Sequence, residues 1–254
     1  MADTTRNPWV LTPQPRPDAS LRLICLPHAG GGATAYREWP SYFDSDVEVK
    51  LVQLPGRENR MFEPPHERMD TLVPALADNL GPLLEGRYAL FGHSMGALVA
   101  FELSRYLDES RRPDVLVVSG HHAPHLERLG PHRHDLPEAE LVEALRDLGG
   151  LSPELLENPE YLKLVLPTVR ADLAVVEKYV WPGGDPVAHD LVALGGDSDD
   201  NVPPEDLIAW ERHTTGRFRH RIFPGGHFYL QDSLVDVVAE VRRALVEARN
   251  NALR

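Results

Sequence analysis

The sequence predicts an α/β fold: a mostly parallel sheet flanked by helices on both faces, with a further helical segment inserted before its last two strands. Three observations carry that expectation. Six β-rich apolar runs alternate with segments of helical period, each run closes on Pro, Gly or a polar turn, and one connection is too long for an unstructured loop.

The runs are Leu21–Pro27, Val47–Pro55, Arg87–His93, Asp114–Gly120, His189–Asp197 and Arg217–Gly225, near-continuously apolar or alternating as buried parallel strands require. Between the second and third, Thr71 reads as the N-cap of a helix reaching Leu84, with Pro74 in the first turn where a missing N–H costs nothing. Met95–Leu107, Pro204–His213 and Phe228–Arg249 carry apolar residues at three and four spacing. In the last of these Leu234, Val237, Val238, Val241 and Leu245 form one stripe, expected to face the sheet. The connection His121–Pro186 reads as an inserted helical lid. Its Leu162, Val165, Leu166, Val169, Leu173, Val176 and Val180 repeat at helical spacing, and Pro167 is expected to break or kink that helix. One domain over residues 1–254 results, with a core at about 20–120 and 187–250 and a lid at about 121–186.

Composition narrows the function classes. With 42% hydrophobic and 26% charged residues the chain matches an ordinary globular protein with a packed core. The first twenty residues are polar with four prolines, and nowhere do eighteen apolar residues run together, so neither export nor membrane spanning is expected. The single cysteine, Cys25, sits in a strand without an intrachain partner, which excludes a disulfide framework and a metal-thiolate site and fits a reducing cytoplasm. A net charge of -13 repels nucleic-acid phosphates and anionic membrane surfaces. A local docking patch at Arg111 and Arg112, or at Arg57 and Arg60, stays open beside the plainer reading of solvated surface.

The chemistry begins at Gly92-His93-Ser94-Met95-Gly96, a G-x-S-x-G motif set directly after one strand and before one helix. A serine on so tight a turn is held in a strained conformation and needs flanking glycines, because a Cβ at Gly92 or Gly96 would meet the neighbouring strand and helix. Its Oγ then projects into the cleft beside the unpaired N–H groups of the helix terminus. This turn resembles the nucleophile turn of the α/β-hydrolase fold, in which an acid and then a histidine are expected to follow in chain order.

His227 stands apart among twelve histidines, since it follows the last strand through Pro224-Gly225-Gly226 and precedes the final helix. The acid belongs after the penultimate strand, where Asp197, Asp199 and Asp200 are all available and spacing alone does not choose. For the oxyanion hole, one backbone donor is expected from Met95 and a second from Ala29, in the glycine-rich turn Pro27–Ala33. That turn lacks the Lys-Ser/Thr ending of a phosphate cradle. His121, His122, His125, His132 and His134 show neither regular ligand spacing nor a supporting carboxylate pattern, so no metal site is expected.

Taken together, Leu26–Gly32, Gln53-Leu54-Pro55-Gly56-Arg57-Glu58, Gly92–Ala97 and Gly225–Phe228 resemble the signatures of type II (editing) thioesterases that accompany polyketide and nonribosomal peptide synthases. The likeness spans roughly Leu21 to Val246. Gln53–Glu58 discriminates most, general esterases sharing the nucleophile turn but not this segment, and its own role reads as structural. The family's Gly-x-x-Asp pattern, counted from Gly196, implies Asp199 as the acid; Asp200 stands where the family commonly has proline, which keeps Asp200 and Asp197 open. The resemblance further implies acyl groups carried as thioesters on the phosphopantetheine arm of an acyl carrier protein, synthase modules as partners, a lid forming the acyl pocket, and no metal or redox cofactor. Rival readings are a generic carboxylesterase or lipase, a chain-releasing or medium-chain fatty acyl thioesterase, and a non-catalytic binding protein on the same fold.

Overall fold

The apolar runs assemble into one sheet. In the computed structural model, which describes residues 7–127, 132–150 and 158–252, the strands are β1 (Val10–Leu11), β2 (Leu21–Leu26), β3 (Val47–Val52), β4 (Tyr88–His93), β5 (Val115–Ser119), β6 (Asp190–Gly196) and β7 (Phe218–Phe223). Their spatial order is β1-β3-β2-β4-β5-β6-β7, parallel throughout except where β1 pairs antiparallel with β3. All six expected runs are strands, shortened at their polar and Pro-containing ends. The two-residue β1 was not expected, being too short to show a period within a polar segment.

Helices cover both faces, as the alternation required. They are α1 (Met69–Leu80), α2 (Met95–Tyr106), α3 (Glu138–Asp147), α4 (Pro159–Glu177), α5 (Pro204–Ile208), α6 (Tyr229–Asp232) and α7 (Leu234–Ala252). On one face Ile24, Leu26, Leu90 and Leu116 pack with Leu72 and Leu76 of α1 and Val99 and Phe101 of α2. On the other, Leu23, Cys25 and Phe91 meet Val237, Val238, Val241 and Leu245 of α7, a stripe whose burial contributes about 1.5–3 kcal/mol per side chain. Cys25 is wholly buried with a free thiol, and burial pushes its pKa up. No described helix is long and apolar enough to cross a membrane.

Several local expectations need correction. The first helix starts at Met69 with Arg68 as its N-cap; Thr71 lies inside it, its hydroxyl donating to Arg68 O at 3.0 Å. Pro74 therefore sits beyond the first turn, where the missing N–H does remove a helix bond. Pro167 neither ends nor interrupts α4, which runs through it, because packing on both sides of the proline holds the turn: Leu166 and Val169 are buried. Val180 lies past the helix and is 82% exposed. Pro204–His213 is α-helical only to Ile208 and tightens to a 3-10 turn, and Phe228–Arg249 is divided at Ser233.

Between β5 and β6, α3 and α4 share a small core of their own, Leu141, Leu145, Leu166, Val169 and Leu173, with Ala29 packed against it. This satellite cluster therefore sits over the turn that follows β2. The parts of the expected lid at 128–131 and 151–157 lie outside the described residues.

Candidate active site

The parallel sheet brings the ends of β2, β4, β6 and β7 to one edge, where ligands gather in open α/β sheets. Ser94 occupies the β4–α2 turn with φ 54° and ψ −120°, a conformation costing of the order of 1–3 kcal/mol that its surroundings must impose. They do so by backbone bonds: Ser94 N–H donates to Ser119 O at 2.7 Å and Ser94 O accepts from Ala97 N–H at 2.9 Å. A Cβ on Gly92 would lie 2.0 Å from Gly96 O, and one on Gly96 2.3 Å from Leu26 O, so both flanks must be glycine.

His227, on the β7–α6 loop, reaches Ser94 Oγ with Nε2 at 2.9 Å and Asp199 Oδ2 with Nδ1 at 2.7 Å. The chemistry of the partners fixes the tautomer, Nδ1–H donating to the carboxylate and Nε2 accepting from the hydroxyl. The Asp199 side chain is fully buried, and its Oδ1 accepts from Asn201 N–H at 3.0 Å. Burial pushes its pKa up, but the His227 bond and charge and the Asn201 donors outweigh it and hold the carboxyl below its ordinary value.

Of the three adjacent acids, the geometry thus brings Asp199 to the imidazole and leaves the others elsewhere. Asp197 accepts from Gly225 N–H at 3.0 Å and from Ser198 Oγ at 2.7 Å, joining the two loops that carry acid and histidine. Asp200 is exposed at the rim of the cavity.

That cavity, about 550 Å³, opens above Ser94 and His227 and is walled by Leu145, Val165, Val169, Leu173 and Phe228. Met95 and Ala29 both line it. Met95 opens α2, where helix N–H groups lack intrahelical acceptors. In the Ala29 turn, Gly30 N–H is committed to Asp172 at 2.7 Å and Gly31 N–H to His28 O at 2.9 Å.

Two further imidazoles stand close to His227. His93 Nδ1 meets Ser119 Oγ at 2.9 Å, and that oxygen meets Tyr229 OH at 2.6 Å; burial first, then the charges of His227, His28 and His121, drive the His93 pKa well down. Burial, then His227 and Arg57, lowers His28 to about 4. Both rings are neutral near pH 7 and add no positive charge to compete with an imidazolium at His227.

The docking patch at Arg57 and Arg60 is corrected by the structure, since each is only 6% exposed. Arg57 forms a bidentate pair with Asp172 at 2.5 and 2.8 Å. Arg60 pairs with Glu63, donates to Gln53 O at 2.9 Å and lies over the Trp9 ring. Arg111 ends a short 3-10 turn, Glu109–Arg111, and pairs with Asp108, while Arg112 follows it and is exposed. The histidines also differ from expectation, for carboxylates do accompany them: His134 Nδ1 meets Glu177 at 2.7 Å, and His132, His134 and Asp135 offer ligand atoms within 4.8 Å of one another. His125 and His213 instead bond to each other at 2.7 Å. Asp172 escaped the sequence reading altogether; its one signal was an acid set within the apolar face of α4.

A family model described as "Thioesterase domain" matches residues 21–245. Gramicidin S biosynthesis protein GrsT of Aneurinibacillus migulanus is 37% identical over 234 residues, covering 91% of each chain. Thioesterase PikA5 of Streptomyces venezuelae is 37% identical over 246 residues, covering 95% of this chain and 86% of its own. Among solved structures, the type II thioesterase BorB from the borrelidin biosynthetic cluster superposes with a TM-score of 0.88 at 36% identity, covering 96% of this chain and 100% of that one.

Proposed function

The chain belongs to the thioesterase family, and from that premise we propose that it is a serine-dependent editing (type II) enzyme of polyketide or nonribosomal peptide assembly. It hydrolyses stalled acyl groups from the phosphopantetheine arm of an acyl carrier protein, acting beside the synthase modules in the cytoplasm. The observation that carries this reading is the hydrogen-bonded line Asp199–His227–Ser94 at the floor of a cavity with apolar walls.

His227 Nε2 takes the Ser94 proton as Oγ bonds to the thioester carbonyl carbon, and the carbonyl electrons move onto oxygen. Met95 and Ala29 N–H groups hold that oxyanion. On collapse the C–S bond breaks, and the proton on His227 passes to the departing sulfur. Water, deprotonated by the same nitrogen, attacks the acyl-enzyme, and its proton returns to Ser94 Oγ as the acid leaves. Asp199 stays ionised and stabilises the imidazolium in both halves. The segment 121–186 serves as a lid, α3 and α4 supplying the walls against which the acyl chain packs.

The test is hydrolysis over a panel of acyl chains loaded on a carrier protein, with Ser94→Ala as control. The expected result is turnover of acetyl and propionyl carriers in preference to long acyl ones, lost in the variant. Persistent hydrolysis in Ser94→Ala, or higher kcat/KM for simple oxygen esters than for carrier thioesters, would sink the proposal. A preference for long acyl chains would instead make the enzyme a chain-releasing one.

A further inference from the structure

The Arg57–Asp172 pair lies outside the Ser94–His227–Asp199 line, is 6% and 2% exposed respectively, and touches the turn after β2 at two successive residues. Every guanidinium donor is used: Nε and Nη2 donate to Pro55 O at 3.2 and 3.1 Å, Nη1 to Gly31 O at 3.0 Å, and Nη1 and Nη2 also to Asp172 at 2.5 and 2.8 Å. Asp172 Oδ2 accepts in addition from Gly30 N–H at 2.7 Å. The pair thus grips Gly30 by its N–H and Gly31 by its carbonyl.

The grip is transmitted to Ala29 through one peptide plane. Gly31 N–H donates to His28 O at 2.9 Å, and in the trans peptide joining His28 to Ala29 the C=O and N–H point in opposite directions. With His28 O drawn toward Gly31, Ala29 N–H is turned the other way. Gly30 has φ +77°, and a Cβ there would lie 2.8 Å from Val169 Cγ2 of α4, so the turn is closed against the same helix that bears Asp172. Gln53 and Glu58 brace the following residues, accepting from Ala33 N–H at 2.8 Å and Thr34 N–H at 3.2 Å.

We infer that Arg57 and Asp172 are positioning residues for the oxyanion donor: the buried pair orients the His28–Gly31 turn so that Ala29 N–H faces the reacting carbonyl, and it makes that donor depend on the seating of α4. The inference rests on the reading of Ala29 as an oxyanion donor. It also gives the Gln53–Glu58 segment a task, since that segment delivers Arg57. Because Val169 and Leu173 of α4 wall the acyl cavity while Asp172 faces the turn, a chain that fills the cavity and the donor that serves its carbonyl act on one rigid element.

The test compares wild type with Asp172→Asn, which keeps the side-chain volume and one acceptor but loses the charge, and with the double variant Arg57→Met/Asp172→Leu. The probes are a propionyl-pantetheine thioester and a trifluoromethyl ketone analogue that forms a tetrahedral adduct with serine. Removing an oxyanion donor outright costs about 10²–10³-fold in kcat, so a misdirected one should cost about 10- to 100-fold. The expected result is that loss in kcat with KM changed less than about threefold, and a matching loss in affinity for the ketone. The double variant removes both buried charges together, so no unpaired charge remains, but Gly30 N–H and Gly31 O lose their partners and the turn loses its grip, so kcat should stay low there too. Wild-type kcat in Asp172→Asn, or in the folded double variant, would overturn the inference. Ser94→Ala run alongside separates the failures: activity surviving there defeats the serine mechanism and this inference with it, whereas activity lost there but intact in Asp172→Asn defeats only the clamp.

Discussion

Gly92 and Gly96 stand back to back beneath Ser94, so close that a Cβ on the first would fall 2.0 Å from the carbonyl oxygen of the second. Backbone on both sides leaves nothing flexible to give way. Gly92→Ala and Gly96→Ala should each lose more than about 3 kcal/mol, above the ordinary cost of overpacking, with activity lost too. Gly81→Ala is the control, since a Cβ there meets nothing within 4 Å. Denaturant midpoints measure all three; near-wild-type midpoints for the first two would contradict the packing.

Asp199→Asn should lower kcat by about 10⁴-fold with the fold intact, because an amide favours the wrong imidazole tautomer. Asp200→Asn should stay within about threefold, since Asp200 only borders the cavity. Asp197→Asn should be nearly as mild, the amide oxygen still accepting from Gly225 N–H. Steady-state kinetics on the three variants decide which acid serves His227.

Stability should fall on acidification between pH 6.5 and about 4. His189 and His213 are each 5% exposed, and burial first, then nearby positive groups (Arg112 for His189; His125, Arg105 and Arg212 for His213), lowers both from 6.5 to about 4. The folded pKa lies below the unfolded one, so within that window the unfolded chain binds more protons and gains relative stability as pH drops. Each group contributes about 1.4 kcal/mol per pH unit there. Urea midpoints at pH 7, 6 and 5 should decline, and His189→Leu should flatten the slope; pH-independent midpoints would refute the assignment.

Thr168→Val should loosen α4. The hydroxyl donates to Gly56 O at 2.5 Å in a buried setting, and leaving that carbonyl unsatisfied costs about 1–3 kcal/mol. Faster amide exchange along α4, with β4 and β5 unchanged, is the expected signature.

The sheet was legible because buried parallel strands write themselves as apolar runs, and Ser94 and His227 because strand, turn and helix follow one another so tightly there. Asp199 was not separable from Asp197 and Asp200 by spacing, since adjacent loop residues differ only in which way they turn. The Asn201 and Gly225 donors that sort them are backbone groups, invisible to composition. Arg57 and Arg60 misled for a related reason: a basic residue reads as surface until its partner is known, and Asp172 lies 115 positions away in sequence from Arg57. The start of α1 is not legible either, because Thr71 has the chemistry of a cap while its hydroxyl serves the Arg68 carbonyl inside a helix that begins at Met69.

The lone thiol of Cys25, shut inside β2 at 0% exposure, gives the molecule an internal clock. A thiol-reactive dye has nothing to modify while the sheet is whole, so every labelling event marks an opening of the central strands. When labelling outpaces reclosing, the rate at which colour develops in the native protein reports how often the sheet comes apart, with no engineered probe required.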